Sequence, residues 1–177
     1  MTEGALPSVR GLYKEVWGYN RPESFDMWRW LNTPGGICPG ILGVDGDRVV
    51  GQSGGIFLDF DFAQPQHTIA EITGAHQCAN HNPDGAWFYG TDMLVHAGYR
   101  RRGIGRRLYE LRKELVRRFK KRGIIAGAHM PGFTDHKHEL SAAQYADKVV
   151  AGELYDTTLS FQIENGFAVR GVLEKYI

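Results

Sequence analysis

The sequence predicts a mixed α/β (α+β) fold in which helices flank a sheet, in one domain spanning residues 1–177. Strand-like segments are interspersed with segments whose apolar residues recur every three or four positions. A strand pattern at residues 87–95 continues through a glycine-spaced loop into a long helix pattern. The chain is long enough for one sizeable core, and no repeat or interdomain linker is evident.

The N-terminal segment, residues 1–36, is predicted to be helical from residue 7 to residue 33. The helix breaks at Asn20-Arg21-Pro22, because proline suits the first position of a new helix, and Thr33-Pro34-Gly35-Gly36 ends the second helix. Its apolar side would use Phe25, Trp28 or Met27, and Leu31. Residues 37–44 and 49–58 then predict an antiparallel hairpin around an Asp-Gly-Asp turn, followed by a polar loop.

The central segment is predicted as a strand over residues 87–95, with Gly90 marking a bulge or a close backbone approach. A helix is predicted from Gly103 to Gly123, with arginines largely outside its apolar stripe. That stripe consists of Ile104, Leu108, Leu111, Leu115 and Phe119.

The C-terminal part begins with a strand at residues 124–128, and an insertion, residues 129–156, follows it. The pattern Ser141-x-x-Gln144 is a capping box that predicts a short helix to about Val150. A second helix is predicted over residues 157–165, with Gly166 as its C-terminal cap, and a last strand over 167–173.

The glycine-spaced loop predicts an anion site. The first turn of a helix offers backbone N–H groups without helical partners and the positive end of the helix dipole. Residues 100–122 hold 12 of the 21 Lys and Arg but only the acids Glu110 and Glu114, whereas the other residues hold 9 basic and 18 acidic groups. On charge alone a solvated basic helix face is the favoured interpretation, and the position of the charge at the glycine-spaced loop favours an anionic ligand instead.

Composition excludes several classes of protein. The longest apolar runs are too short to span a membrane, no secretory signal precedes the domain, and Cys38 and Cys78 form no disulfide framework. We therefore expect a cytoplasmic protein without a membrane partner. The loop has no third glycine for a dinucleotide fingerprint, and no Gly-Lys-Ser/Thr for a P-loop.

The pattern Val95-x-x-x-Tyr99-Arg100-x-x-Gly103-Ile104-Gly105 resembles the acetyl-CoA-binding motif of the GNAT acyltransferases, and Asn165-Gly166-Phe167 resembles the family's second marker. The later half is similar to the acetyltransferase domain that precedes a carbon–nitrogen hydrolase domain in some bacteria. The segments that carry this similarity are Tyr89-Gly-x-Asp92, residues 106–115, Gly152-Glu-Leu-Tyr-Asp156, Leu159-Ser-Phe-Gln162 and residues 169–173. The resemblance implies a mixed, mainly antiparallel sheet.

The resemblance also implies transfer of an acetyl group from acetyl-CoA to a primary amine by direct attack in a ternary complex. The pantetheine arm and pyrophosphate of CoA would lie along the strand end and the loop, and the backbone N–H of Leu94 or its neighbour Val95 would bind the oxyanion. The implied CoA-binding residues are Met93, Leu94, Val95, Arg100, Arg101, Arg102, Gly103, Ile104, Gly105 and Arg106.

Proton transfer is where the sequence departs from the family. Gln162 occupies the position at which many members carry a tyrosine acid, and an amide cannot deliver a proton. Tyr155 is the nearest substitute, although it also suits a packing role. Asp92 is the candidate base, or else a hydrogen-bonded acid at the strand end, and Glu71 and His96 are further candidates.

Three further expectations complete the interpretation. No metal site is expected, although Asp135-His136-Lys137-His138-Glu139 has ligand-type residues. The chain ends before the extra strand of the family's sheet, so we expect a homodimer that covers an open edge. The alternatives are a CoA-binding sensor without turnover and a nucleic-acid-binding protein that uses the Arg-rich helix; we expect no nucleic-acid partner.

Overall fold

The computed structural model describes residues 6–17 and 41–177. These residues divide into two compact units, the first formed by α1 (Leu6–Trp17) with residues 41–65 and 69–126, and the second by residues 66–68 with 127–177. The predicted second helix, the Thr33–Gly36 stop, Cys38 and the beginning of the first strand lie outside the described residues. The extent of the single domain stays a prediction.

The first unit contains a four-stranded sheet in the order β1 (Ile41–Asp45), β2 (Arg48–Leu58), β3 (Trp87–Val95) and β4 (Ile124–Ala126). The first three strands are antiparallel and β4 runs parallel to β3. The prediction of a mixed, mainly antiparallel sheet flanked by helices is therefore confirmed. The hairpin turn is confirmed as well, because Gly46 adopts a left-handed φ of 56° between β1 and β2.

The polar loop after β2 contains local helical structure that the sequence did not predict. A short helix α2 (Ile69–Thr73) leads into an irregular helical turn, Gly74–Cys78, in which Ala75 and His76 have left-handed φ angles. Cys78, at the end of this turn, is buried.

The basic helix α3 (Ile104–Arg118) packs on the sheet. A side chain at Gly51 would meet Ile104 and Leu108 at 3.0 and 3.5 Å, so α3 lies close against the middle of β2. The buried positions of α3 differ in part from the predicted apolar stripe, since Phe119 is 48 % exposed whereas Arg112 is 2 % exposed. Those buried positions are Leu108, Tyr109, Arg112 and Val116.

The predicted end of α3 at Gly123 is wrong. The helix ends at Arg118, and Lys120 takes the left-handed conformation with φ 54°. The Lys121 N–H donates to the carbonyl of Val116 at 2.9 Å, and the Lys120 N–H donates to that of Arg117 at 3.1 Å. These two bonds form a Schellman ending, so the helix ends five residues before Gly123.

The second unit contains α4 (Phe133–His136), α5 (Ala142–Val150) and α6 (Leu159–Glu164) around its own core. The predicted capping box is confirmed, because the Ser141 hydroxyl accepts from the Gln144 N–H and the Gln144 side chain accepts from the Ser141 N–H. Gly166 follows α6 with φ 88°, as expected of a helix cap. The core consists of Tyr145, Ala146, Val149 and Leu159.

The last predicted strand is also wrong, because residues 167–173 pair with no strand among the described residues. The side chain of Gln66 forms hydrogen bonds to the backbone of this segment, as a neighbouring strand would. Its amide N–H donates to the Val172 carbonyl at 2.9 Å and its carbonyl accepts from the Glu174 N–H at 3.0 Å. Backbone groups that a neighbouring strand would satisfy are thus satisfied by one side chain.

Candidate active site

The loop between β3 and α3 has the backbone geometry of an anion site. Arg101 and Gly103 have left-handed φ angles of 60° and 80°, and they turn the chain so that α3 begins at Ile104. The first helical hydrogen bond joins the Arg107 N–H to the Gly103 carbonyl at 3.0 Å. The N–H groups of residues 104–106 therefore lie in the first turn, where a helix offers no carbonyl partner to them.

The arginines around this loop have different surroundings. Arg100 donates from Nε to the Val95 carbonyl at 3.2 Å, and the guanidinium of Arg102 lies 4.9 Å from the centre of the Tyr99 ring. Arg107 donates to Glu110 and Glu114, both at 3.1 Å, so part of its charge is compensated on the helix surface. The predicted CoA-binding arginines, Arg100, Arg101, Arg102 and Arg106, are exposed.

The hairpin turn is tied to the loop by Tyr99, whose hydroxyl donates to Asp45 at 2.7 Å. This hydrogen bond to Asp45 is the largest of the effects that raise the pKa of Tyr99 above its ordinary value. The Tyr99 side chain is therefore held as a neutral donor and supports the loop.

His96, one of the further base candidates, has a structural role at the end of β3. Its Nδ1 accepts from the Gly98 N–H at 3.0 Å, and its Nε2 lies 2.6 Å from a carboxylate oxygen of Glu15 in α1. Arg48 contacts the same carboxylate at 3.1 Å. Both ring nitrogens of His96 are engaged, so the ring fixes the turn that leads into the loop. Glu71, the other further candidate, is exposed on α2.

β3 extends beyond its pairing with β4. The parallel pairs join residues 88–90 to residues 124–126, whereas β3 continues along β2 to Val95. Among the described residues, no strand pairs with residues 91–95 on the side of β4. Because β4 is shorter than β3, residues 91–95 form an edge along which a ligand with amide groups can hydrogen-bond as an added strand would.

The N–H groups that point to this edge follow from the ladder. The His96 N–H donates to the Val50 carbonyl at 2.9 Å, so residues 50 and 96 form a hydrogen-bonded pair. In an antiparallel ladder the next such pair lies two residues along, which directs the Leu94 N–H toward Gln52 of β2. The N–H groups of Met93 and Val95 then point toward the side of β4. Of the two predicted oxyanion donors, this geometry favours Val95 over Leu94.

Asp92, the candidate base, lies beside an irregularity of the sheet. Gly54 is opposite Asp92 and Gly55 is opposite Gly90, so Thr91 is the extra residue of a β-bulge. The prediction of a bulge at Gly90 is confirmed to within one residue. Asp92 is 8 % exposed, and one of its carboxylate oxygens accepts from the Thr91 hydroxyl at 3.3 Å.

The sequence reasoning missed Arg112, whose guanidinium is buried behind this bulge. It donates to the Ser53 hydroxyl and to the carbonyls of Gly54, at 2.8 Å, and Asp92. The signal in the sequence was its spacing, because residue 112 lies four positions from both Leu108 and Val116 on the buried side of α3.

The remaining candidates lie in the second unit. Tyr155 is 69 % exposed, which does not fit the packing role considered for it, and Gln162 is half-buried in α6. The insertion contributes helices α4 and α5. Across residues 6–17 and 41–177, no three His, Cys, Asp or Glu side chains form a group that could hold a metal ion. In the same residues, no helix combines the length and apolar character needed to cross a membrane.

Comparison with known proteins agrees with the geometry of the loop. Residues 6–133 match the model of the acetyltransferase (GNAT) family. The chain is 38 % identical over 130 residues to the probable hydrolase YhcX of Bacillus subtilis, covering 73 % of this chain and 25 % of the relative. It is 31 % identical over 143 residues to the uncharacterized N-acetyltransferase YkwB of the same organism, covering 81 % of this chain and 62 % of that relative. The chain thus spans a quarter and about three fifths of their lengths.

Among solved structures, the chain is similar to the GNAT-like decarboxylase GphF in complex with isobutyryl-CoA. The TM-score is 0.74 at 16 % identity, and the match covers 100 % of this chain and 88 % of the other. At this identity the likeness concerns the fold alone.

Proposed function

On the premise that the chain belongs to the GNAT acetyltransferase family, whose members transfer acyl groups from CoA, we propose that it transfers an acetyl group from acetyl-CoA to a primary amine. The amine attacks directly in a ternary complex. The observation that carries the proposal is the continuous path from the edge of β3 at Met93 and Val95 to the helix N-terminus at Gly103. This protein would act in the cytoplasm.

The loop would bind the CoA pyrophosphate. The N–H groups of residues 104–106 supply hydrogen-bond donors, and the exposed arginines 100, 101, 102 and 106 supply positive charge. Gly103 has no side chain, and no neighbouring atom lies within 4 Å of the position that a Cβ would occupy there. A phosphate can therefore approach the backbone closely.

The pantetheine arm would extend the sheet along the free side of β3. Its amides can pair with residues 93 and 95, whose polar groups point to that side. The Val95 N–H is then the proposed donor to the thioester oxygen, which becomes an oxyanion when the amine attacks. Donors fixed before the reaction stabilise that charge without reorganising, and one such donor is worth about 10²- to 10³-fold in rate.

The proton and the leaving group need separate partners. The amine nitrogen forms a bond to the acetyl carbon, the carbon–sulfur bond breaks, and the electron pair leaves with sulfur. Asp92 is the proposed acceptor of the amine proton, directly or through water. Tyr155 is the proposed donor to the CoA thiolate, with water as its alternative, because Gln162 can only donate a hydrogen bond.

A second candidate is turnover of an acyl-CoA without an amine acceptor. Gln162 favours it, since this position lacks the acid that the resemblance leads us to expect for amine acetylation. A decarboxylase with the same fold, GphF, provides an example of the reaction class. The two candidates differ in the bond that breaks: N-acetylation breaks the carbon–sulfur bond and releases CoA only with an added amine, whereas decarboxylation releases CO2 and leaves the thioester intact.

The experiment measures binding first and turnover second. At a hundred times its Kd, acetyl-CoA stabilises the folded state by about 2.7 kcal/mol, which raises Tm by about 5–10 °C for a chain of this size. Gly105→Glu places a carboxylate at the pyrophosphate site and should abolish the shift. Arg117→Glu changes the charge more, at the other end of α3, and should leave most of the shift intact.

Turnover is measured as thiol release with a panel of amines: a polyamine, free amino acids, a lysine peptide and an aminoglycoside. Amine-dependent release supports the N-acetyltransferase. Formation of acetyl-CoA and CO2 from malonyl-CoA without an amine supports the second candidate, and binding without either reaction leaves a CoA sensor. The absence of a Tm shift at millimolar acetyl-CoA would contradict the whole proposal.

A further inference from the structure

We propose that Arg112 is a positioning residue for acyl transfer, because it fixes the β-bulge that turns the Met93 and Val95 N–H groups toward the thioester. The inference rests on the proposed function in that it assigns those N–H groups to the reacting acyl group. Arg112 itself touches no reacting atom. It acts through the backbone of Gly54 and Asp92, to which its guanidinium donates.

The bulge decides which N–H groups reach the open edge of β3. On the N-terminal side of the bulge, the Phe88 N–H donates to the Gly123 carbonyl at 3.0 Å, so the N–H groups of residues 88 and 90 point toward β4. Regular alternation would continue this direction to residue 94. The extra residue, Thr91, shifts the phase by one, so that Leu94 turns to β2 while Met93 and Val95 take the outward positions.

Arg112 holds the bulge from the side of α3. Its Nε donates to the Ser53 hydroxyl, and its Nη2 donates to the carbonyls of Gly54 and Asp92, which face each other across the strands at the bulge. The rings of Phe88 and Tyr109 lie 5.7 and 5.6 Å from the guanidinium carbon. The planar fork of a guanidinium can bind both strands at once, which an apolar side chain or a single ammonium cannot do equally well.

The glycine at position 90 is part of this arrangement. An added Cβ at Gly90 would lie 2.7 Å from Nη1 of Arg112, closer than any real contact, so the guanidinium would have to move. Gly90 therefore leaves room for the arginine beside the bulge. This gives a way to displace Arg112 without replacing it.

Stability alone is a weak explanation for a guanidinium that is 2 % exposed. Burying a charge costs several kcal/mol before its hydrogen bonds form, and replacing buried ionic groups by apolar ones is often neutral or stabilising. A specific geometry is a better explanation, because the arginine's bonds converge on Ser53 and on two carbonyls at the one irregular point between β2 and β3.

The test separates acetyl-CoA binding from turnover in Arg112→Met and Arg112→Lys. Residue 112 lies eight residues, or about 12 Å, along the axis of α3 from its first residue, Ile104. We expect kcat to fall about 10- to 100-fold in Arg112→Met, because a donor displaced by about 1 Å loses that much rate. Kd for acetyl-CoA should rise less, by about threefold at most, because the proposed pyrophosphate contacts at the loop stay in place. Arg112→Lys should recover part of the loss. Arg117→Met, an exposed arginine on the same helix, is the matched control.

Gly90→Ala keeps Arg112 in the sequence but displaces its guanidinium. This variant should also lower kcat more than it weakens acetyl-CoA binding. Gly11→Ala adds the same methyl group in open space on α1 and should not change kcat. If Arg112→Met does not fold, the contrast between these glycine variants decides. Ser53→Ala, which removes one acceptor of Arg112, should give a smaller fall of about threefold.

A wild-type protein that releases no CoA would contradict the proposed function, but not the role of Arg112 in fixing the bulge. Amide hydrogen exchange tests that role without turnover: residues 92–95 should exchange faster in Gly90→Ala while residues 41–45 do not. The inference is overturned if folded Arg112→Met and Gly90→Ala keep wild-type kcat. It is also overturned if Kd, kcat and Tm change in parallel, which is the result of a merely structural role.

Discussion

Asp156 accepts four hydrogen bonds while only 1 % exposed. One carboxylate oxygen accepts from the Gly132 N–H at 3.0 Å and from the Tyr145 hydroxyl at 3.1 Å. The other accepts from the N–H groups of Thr158 and Leu159, both at 2.9 Å, at the start of α6. In sequence this residue ends the motif Gly152–Asp156, and its four hydrogen bonds give that motif a physical role.

The phenol of Tyr145 carries a testable pH dependence. Burial, followed by the charge of Asp156, raises the pKa of Tyr145 above its ordinary value of about 10. A raised pKa means that the folded state holds the proton longer than the unfolded state. The associated stability is therefore present below pH 10 and is lost as the pH rises through the folded value.

We expect the free energy of unfolding of the wild type to fall more steeply above pH 10 than that of Tyr145→Phe. At pH 8 the variant should be less stable by about 1 kcal/mol, because it loses the hydrogen bond to Asp156. Urea unfolding between pH 8 and pH 11 measures both effects. Tyr155→Phe, at an exposed tyrosine, should stay within about 0.5 kcal/mol of the wild type at pH 8. Equal slopes for wild type and Tyr145→Phe would contradict the assignment.

At the scale of elements, local chemistry predicted some boundaries well. The bounds of β3 agree with the strand predicted over residues 87–95, and the capping box at Ser141 placed the start of α5, because both signals lie within the element itself. The end of α3 and the strand at residues 167–173 were wrong. Their outcome depends on a left-handed lysine and on the distant Gln66 side chain, which no local pattern shows.

The Schellman ending of α3 predicts that two glycine substitutions change the free energy of unfolding in opposite directions. Lys120 holds a φ of 54°, which costs a side-chain-bearing residue about 1 kcal/mol relative to glycine. Lys120→Gly should therefore raise the free energy of unfolding by about 0.5–1 kcal/mol. Arg117→Gly, within the last turn of the helix, should lower it by up to about 1 kcal/mol. Urea midpoints at constant m-value measure the difference, and destabilisation by both variants would contradict the ending described.

The candidate site shows the same division between local and distant causes. The turn between β3 and α3 was predictable, because glycines between a strand and a helix act through the adjacent backbone. The preference for Val95 over Leu94 was not, since it depends on the phase shift at Thr91. Arg112 was hidden because an arginine in a basic helix is expected at the surface, and only the packing of α3 on the sheet buries it.

For the whole molecule, the open question is assembly. Within the described residues the sheet ends at the three-residue strand β4, and residues 167–173 add no strand to it. Unpaired strand edges favour pairing with another chain. We therefore propose a homodimer, in which a second copy covers an edge of the sheet.

Light scattering after size-exclusion chromatography should give twice the mass of the chain at micromolar concentration. The mass should remain doubled on dilution through the range used for the thermal-shift measurements. A monomeric mass throughout that range would contradict the dimer, while leaving the acyl-transfer proposal intact.

The close fit between Gly90 and Arg112 has a consequence for how this fold can be varied. A Cβ at position 90 lies 2.7 Å from the guanidinium, so the effect of a substitution at one position depends on the residue at the other. A library that randomises position 90 alone would discard alanine because of the arginine rather than because of the strand. Diversification of this fold must therefore change the two positions together, since a side chain at position 90 requires a different residue at position 112.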